Sequence, residues 1–472
     1  MKLLLRYLGY VMLISSVLRL VPVTAALVYD EPVYTFLFSA TVSILLGVLF
    51  LWLSKKTQSG EGYLSASQAF MLVGLSFILM SLVSSISFLA SFNYSFIDAL
   101  FESVSGITTT GLSAYPSIQD LPKSLLLWRA QLQWIGGLGI VLFLLFLLFR
   151  KGSGGRLSSA EEAGQIRASL SLAQGIHTAL KKGVKVSTGI KIYLFYTAAG
   201  IALLALAGMP LYDSVAMSFT SISTGGFTVS DTFYTNNYQL LVLALLMLAG
   251  ATSFVAHYAL FSRRWKEFFL QTEKNVMILL MLAAGALAFW SFPNLRTAAF
   301  EIISAYTTTG YALTEISLLP QLFIFLLMIG MIIGGSTVST AGGIKVFRFF
   351  SVLKMPFWHV SKLASPRGAV VPFKYNKEPV PEHTMLTIQV FFSLWILLLA
   401  AGTITLMLLG YSFLDSSFQM TSALGTVGLS TMDLSVMHWA GKLVLILGML
   451  LGRVELYPII LIIRKALKWH NA

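Results

Sequence analysis

Two stretches decide how this chain folds: GITTTGLSAY at residues 106–115 and SAYTTTGYAL at residues 304–313. Thr and Gly are poor helix formers, yet each copy of Thr-Thr-Thr-Gly lies between long apolar segments that read as helices. Comparing the chain with itself turns two copies into four. With the closing glycine of each strip as origin, Gly111, Gly226, Gly310 and Gly428 fall in register. Thirteen residues earlier stand Asp98, Asp213, Thr297 and Asp415, and six residues earlier Ser105, Thr220, Ser304 and Ser422. A bulky residue follows each glycine: Leu112, Phe227, Tyr311 and Leu429. Each unit repeats one order of spanning helix, half-length segment, Thr/Ser/Gly strip and spanning helix.

Composition gives these units their solvent. Of the 472 residues, 57% are hydrophobic and 11% charged, against about a quarter charged in a soluble domain. Apolar spans read at 5–29, 33–53, 68–92, 123–149, 190–210, 238–261, 276–292, 320–350, 385–410 and 440–463. With the N-terminus inside, all Lys and Arg except Arg19, Lys123, Arg129, Arg296, Lys442 and Arg453 fall on the inner side or its boundary. That asymmetry sets the topology, with both termini cytoplasmic, and it accounts for the net charge of +13 without nucleic acid. Arg19 interrupts the first span, which favours a retained helix over a cleaved signal peptide. The expected fold is an all-α polytopic membrane protein. An N-terminal two-helix hairpin (1–60) precedes four pseudo-fourfold helix–pore-loop–helix repeats at 61–185, 186–272, 273–380 and 381–472.

The upstream Asp, Asp, Thr and Asp are good N-cap residues. Eight to ten residues after each would make a helix of about 12–15 Å, half a bilayer. Its C-terminal end, carrying partial negative charge, would stop near the membrane centre, where four such ends favour a cation. The chain must then climb out without regular structure, which survives at that depth only when buried or lining a water-filled path. Hydroxyls and carbonyls facing one axis can replace an ion's water shell. The expected filter is therefore Thr108, Thr109, Thr110 and Gly111; Ser223, Thr224, Gly225 and Gly226; Thr307, Thr308, Thr309 and Gly310; and Gly425, Thr426, Val427 and Gly428. The plain alternative is four re-entrant hairpins that only pack.

Two features lie beside these strips. Residues 320–350 as one helix would measure about 46 Å against a core of about 30 Å. Their middle, GGSTVSTAGG at 334–343, should break the helix into an intramembrane loop, or else let helices approach closely. Arg453 sits in an apolar helix, where a charge faces a bundle interior or an aqueous cavity, or pairs with Glu455 or backbone carbonyls. Among the acids, Asp98, Asp213 and Asp415 read as caps, not ion ligands. Glu102 and Glu301 occupy equivalent places where the other repeats have Met217 and Gln419.

The four strips, WRAQLQWIGGLGI, GGSTVSTAGGIKVFR and LGRVELYPIILII together resemble the Trk/Ktr/HKT superfamily of potassium transporters, over almost the whole chain. The N-terminal hairpin is similar to the TrkH branch, and ALGTVGLST to the KtrB branch. The resemblance implies a pseudo-fourfold pore in one chain, a homodimer in the cell (inner) membrane, and a cytosolic TrkA/KtrA-like nucleotide-binding regulatory ring. It implies potassium as the transported ion, since relatives with Ser at the first filter glycine favour sodium and all four glycines are present here. It also implies that Gly334, Gly335, Ser336, Thr337, Ser339, Thr340, Gly342 and Gly343 form a gate beneath the filter. Arg453 would then project into the pore as an electrostatic barrier.

No phosphate-binding glycine loop is present, so nucleotide control would come from another chain. His177, His257, His359, His383, His438 and His470 show no metal-ligand spacing, and cysteine is absent. The basic inner segments from Arg150 to Lys191 and from Lys345 to Lys377 read as topology determinants near anionic lipid, and as a place for a regulatory ring to dock. A sodium- or proton-coupled symporter is the competing transport class. A membrane enzyme would need intramembrane catalytic groups converging on one site, and none are evident.

Overall fold

The computed structural model describes residues 2–56, 64, 66–91, 95–149, 186–292, 294–366, 369–375 and 378–454. The basic stretch at 150–185, Glu455 and the C-terminal basic residues lie outside them. The described chain is helical, apart from one two-stranded hairpin pairing Lys374–Tyr375 with Glu378–Pro379. Among the described residues, six helices are long and apolar enough to cross a membrane, and a bent pair forms a seventh candidate.

The N-terminal hairpin is built from α1 (Lys2–Leu18), α2 (Leu20–Val28) and α3 (Tyr34–Lys56). Gly9 and Gly47 let its two arms approach, since a Cβ on Gly9 would meet Leu51 at 2.8 Å. Arg19, between α1 and α2, is fully buried. Its guanidinium donates to the Ser15 carbonyl and to the Ser15, Ser43 and Ser84 hydroxyls at 2.6–3.2 Å, and lies 5.0 Å from the Trp128 ring. A charge that breaks the apolar pattern in sequence thus bolts the hairpin to the first repeat.

Four segments of the chain each set a half-helix between flanking helices. The first runs through α4 (Ala66–Ser91), the half-helix α5 (Phe96–Ile107) and α6 (Lys123–Phe149). The second uses α7 (Val186–Leu206), the half-helix α8 (Leu211–Ile222) and α9 (Asn237–Ala251), which continues as α10 (Phe254–Phe261); a short α11 (Trp265–Phe269) follows. The third uses α12 (Thr272–Ser291), the half-helix α13 (Leu295–Tyr306) and α14 (Gln321–Ile333), then a loop and α15 (Val346–Leu363). The fourth uses α16 (Glu382–Leu408), the half-helix α17 (Phe413–Gly425) and α18 (Trp439–Val454).

Three expectations need correction. The half-helices are 12 or 13 residues long, about 18 Å, and not eight to ten. Their N-caps are Ser95, Pro210, Asn294 and Ser412, three residues before Asp98, Asp213, Thr297 and Asp415. The Asp98 N–H donates to the Ser95 hydroxyl at 3.2 Å, and that hydroxyl donates back to the Asp98 carboxylate at 2.7 Å. Ser412 and Asp415 repeat the arrangement, while Asn294 accepts from the Thr297 N–H. Asp98 and Asp415 are thus third-position partners of their cap hydroxyls, whereas Pro210 makes no side-chain cap bond to Asp213; all three acids are favoured in the first turn by the helix dipole. Ser412→Ala is expected to cost about 1 kcal/mol, read as a lower melting temperature in detergent.

The third correction concerns the apolar run 238–261, which is not one helix. It bends by 107° between Ala251 and Phe254. The cause lies in the third repeat, whose loop takes the carbonyls that a straight helix would keep. The Ser336 N–H donates to the Ala251 carbonyl and the Thr340 N–H to the Gly250 carbonyl, while the Phe254 N–H donates to Val338.

Candidate functional site

The four half-helices end alike. Thr110, Gly225, Thr309 and Val427 each donate an N–H to the carbonyl five residues earlier, at 2.8–2.9 Å. The residue just before each donor is left-handed: Thr109 (φ 55°), Thr224 (53°), Thr308 (57°) and Thr426 (48°). This is a Schellman-type helix end in which a β-branched residue occupies the position glycine normally takes. Each left-handed Thr costs about 1–2 kcal/mol, and backbone strain of this kind collects at functional sites. Two residues later the strip glycines are again at positive φ, from 82° to 101°.

The strips close into a ring. A Cβ on Gly111 would land on the Gly225 carbonyl, one on Gly226 on Thr309, one on Gly310 on Val427, and one on Gly428 on Thr110. Each glycine therefore abuts the carbonyl just before the next repeat's glycine, and the fourth repeat returns to the first. Glycine is required at these four places twice over, by backbone angle and by the approach of a neighbouring strip.

The hydroxyls divide by position. Thr108 and Thr110 share a 2.8 Å hydrogen bond, as do Thr307 and Thr309, so these side chains brace their own strips. In repeats one and four, Ser105 and Ser422 accept the N–H of Gly111 and Gly428. What all four walls share is backbone: four carbonyls before the glycines and four left-handed threonines at the strips' helical ends.

Below these threonines lies the loop 334–345. The Gly342 N–H donates to the Thr308 hydroxyl at 2.7 Å, and the Gly343 N–H to the Gly425 carbonyl at 3.0 Å. Thr340 donates to the Ile222 and Gly250 carbonyls at 2.9–3.0 Å. The loop thus touches the bases of the second, third and fourth strips. Arg453, buried, donates to the Thr340 carbonyl at 2.6 Å and to the Gly136 carbonyl at 3.3 Å, reaching the first repeat. Gly334, Gly335, Ser336, Thr337, Ser339, Thr340, Gly342, Gly343 and Arg453 are therefore one connected assembly.

Around the ring, the acids hold the exit segments. Glu102 accepts from the Ser113 hydroxyl and the Ala114 N–H at 2.6–2.7 Å and pairs with Arg129 at 3.1 Å. Glu301 makes the equivalent contact with the Leu313 N–H, and Gln419 bonds Ser430. Asp98 pairs with Lys442 of the fourth repeat at 2.6 Å, Asp213 accepts from Tyr234, and Asp415 from Thr431. None of these carboxylates belongs to the ring of carbonyls.

Sequence reasoning missed Gln133, which spans the second strip by donating to the Gly225 carbonyl at 2.6 Å and accepting from the Phe227 N–H. It missed the role of Arg129, whose guanidinium also lies 4.0 Å from the Phe227 ring. Both sit on α6, without counterparts in the other repeats, so self-comparison carried no signal for them. Among the described residues, no trio of His, Cys, Asp or Glu could hold a metal ion.

A family model described as TrkH, cation transport protein, matches residues 35–296 and 267–471. The chain belongs to the TrkH family. Among its relatives, an uncharacterized cation transporter of Methanocaldococcus jannaschii is 29% identical over 97% of this chain and 94% of its own length. The Trk system potassium uptake protein TrkH of Halomonas elongata is 28% identical, covering 99% of each chain. TrkG of Escherichia coli, also a Trk system potassium uptake protein, is 28% identical over 96% of each. The crystal structure of the potassium transporter TrkH from Vibrio parahaemolyticus matches with a TM-score of 0.83 at 25% identity, covering 98% of both chains. This TrkH-family member is thus a multi-pass membrane protein of a cation-transport family, not an enzyme.

Proposed function

We propose that this chain takes up potassium across the cell membrane through the ring of four strips, by a channel-like route gated from inside by the loop 334–345. The observation that carries the reading is the closed cycle of glycine–carbonyl contacts. It supports a reading in which four like backbone walls face one axis, at the negative ends of four half-helices. The names of the relatives supply the ion.

In this mechanism the carbonyls of Thr110, Gly225, Thr309 and Val427 replace part of the ion's hydration shell. Beneath them the loop closes the inner exit, and Arg453 repels cations and pins the loop. Both termini face the cytoplasm, and a homodimer with a cytosolic nucleotide-binding ring belongs to the same proposal. Removing Arg453 takes away a charge-assisted bond of about 1.5–3 kcal/mol. Arg453→Ala is therefore expected to raise uptake about tenfold, with selectivity unchanged.

Rubidium uptake into proteoliposomes, with sodium as competitor, tests the reading. Flux that follows the imposed voltage and resists excess sodium is expected. Flux that requires a sodium or proton gradient would favour coupled symport instead. Equal competition by sodium would remove potassium as the selected ion.

A further inference from the structure

The loop has an anchor that no motif announced. Glu273, in the first turn of α12, is buried, and its two carboxylate oxygens receive both donors of Thr337: the N–H at 2.5 Å and the hydroxyl at 2.6 Å. Thr337 sits one residue before Val338, which is left-handed (φ 56°) and accepts the Phe254 N–H of the bent second repeat. The carboxylate therefore grips the loop beside its left-handed turn, at a different residue from the Thr340 carbonyl that Arg453 holds.

From that turn a continuous path leads along α15 to the short hairpin. The Val346 N–H donates to the Gly335 carbonyl, and Phe347 stacks edge-on against Tyr375 with ring centroids 4.6 Å apart. Tyr375 belongs to the short hairpin, whose segment is tied to α15 by Lys354 on the Lys374 carbonyl and Trp358 on Val371. Loop, α15 and hairpin are thus joined end to end, with Glu273 as the fixed point on a different spanning helix.

We infer that Glu273 is the latch of the intramembrane loop, a positioning residue whose grip on Thr337 keeps the loop under the filter until a pull on the hairpin and α15 breaks it. The inference rests on the loop being the gate. A carboxylate suits the task because its two oxygens accept both Thr337 donors at once. Glu273→Gln keeps the shape but offers one acceptor oxygen where two are needed. Thr337→Val keeps the volume and removes the hydroxyl.

The experiment is rubidium uptake by the full chain in proteoliposomes, comparing wild type, Glu273→Gln, Thr337→Val, the double variant and Arg453→Ala. Monodispersity and melting temperature are measured for each. About tenfold higher flux is expected from either latch variant, with no further rise in the double variant and an unchanged rubidium-to-sodium ratio. Glu273→Asp should return flux part-way to wild type. If Arg453→Ala raises flux while well-folded Glu273→Gln and Thr337→Val do not, the latch is wrong and the gate stands. If none of the three changes flux, the gate fails with it. A changed ion ratio in the latch variants would make Glu273 a filter support and overturn the latch. Should Glu273→Gln fail to fold, Thr337→Val alone decides between these results.

Discussion

Gly310→Ser is expected to abolish most of the discrimination between rubidium and sodium, lowering the uptake ratio by about tenfold or more. Two penalties coincide at this residue. Its φ of 87° is one that a residue with a Cβ reaches only at a cost of about 1–2 kcal/mol. The added Cβ also falls on the Val427 carbonyl, so the third and fourth strips must separate. Displacing that carbonyl changes the spacing of the ring as well as the stability of one turn. The effect on selectivity should therefore exceed the effect on folding. Gly208→Ser is the control, because Gly208 has a similar φ of 82° but open space around it. It should cost about 1 kcal/mol of stability and leave the ion ratio alone. Equal ratios in the two variants would separate selectivity from the ring contact.

Arg129→Leu should produce the largest loss of stability. Glu102 is fully buried and relies on Arg129 for its counter-charge, and truncating one side of a buried pair costs about 3–5 kcal/mol. The variant also withdraws the guanidinium from the Phe227 ring, loosening the first repeat against the second. A steep fall in melting temperature is expected. The double variant Glu102→Gln/Arg129→Leu should recover at least half of that loss, because no unpaired charge is left behind. The amide can still accept from the Ala114 N–H. If the double variant melts no higher than the single one, the loss comes from packing and not from the charge.

The repeats were legible because glycine at the strip's end and a polar residue thirteen places earlier recur in register, and because Thr-rich strips conflict with helical neighbours. The same columns misplaced the caps. Asp98, Asp213 and Asp415 form a more uniform column than Ser95, Pro210, Asn294 and Ser412, yet the less uniform column holds the cap position. The broken eighth span was readable from its glycines. The bend at Thr252 and Ser253 was not, since hydropathy runs straight through it and its cause is a loop contributed by another repeat. Glu102, Glu301 and Gln419 could be aligned, but their bonds to the exit segments depend on where the chain returns after the glycine. Arg129, Gln133 and Glu273 occur once each. Their meaning comes from tertiary contact, which a repeat comparison does not see.

The most direct measurement is anomalous diffraction from crystals grown in rubidium. A rubidium peak on the axis enclosed by the Thr110, Gly225, Thr309 and Val427 carbonyls, weakened when sodium replaces rubidium, is the predicted result. An empty ring in a protein that still transports rubidium would place the pathway elsewhere and contradict the four-walled filter.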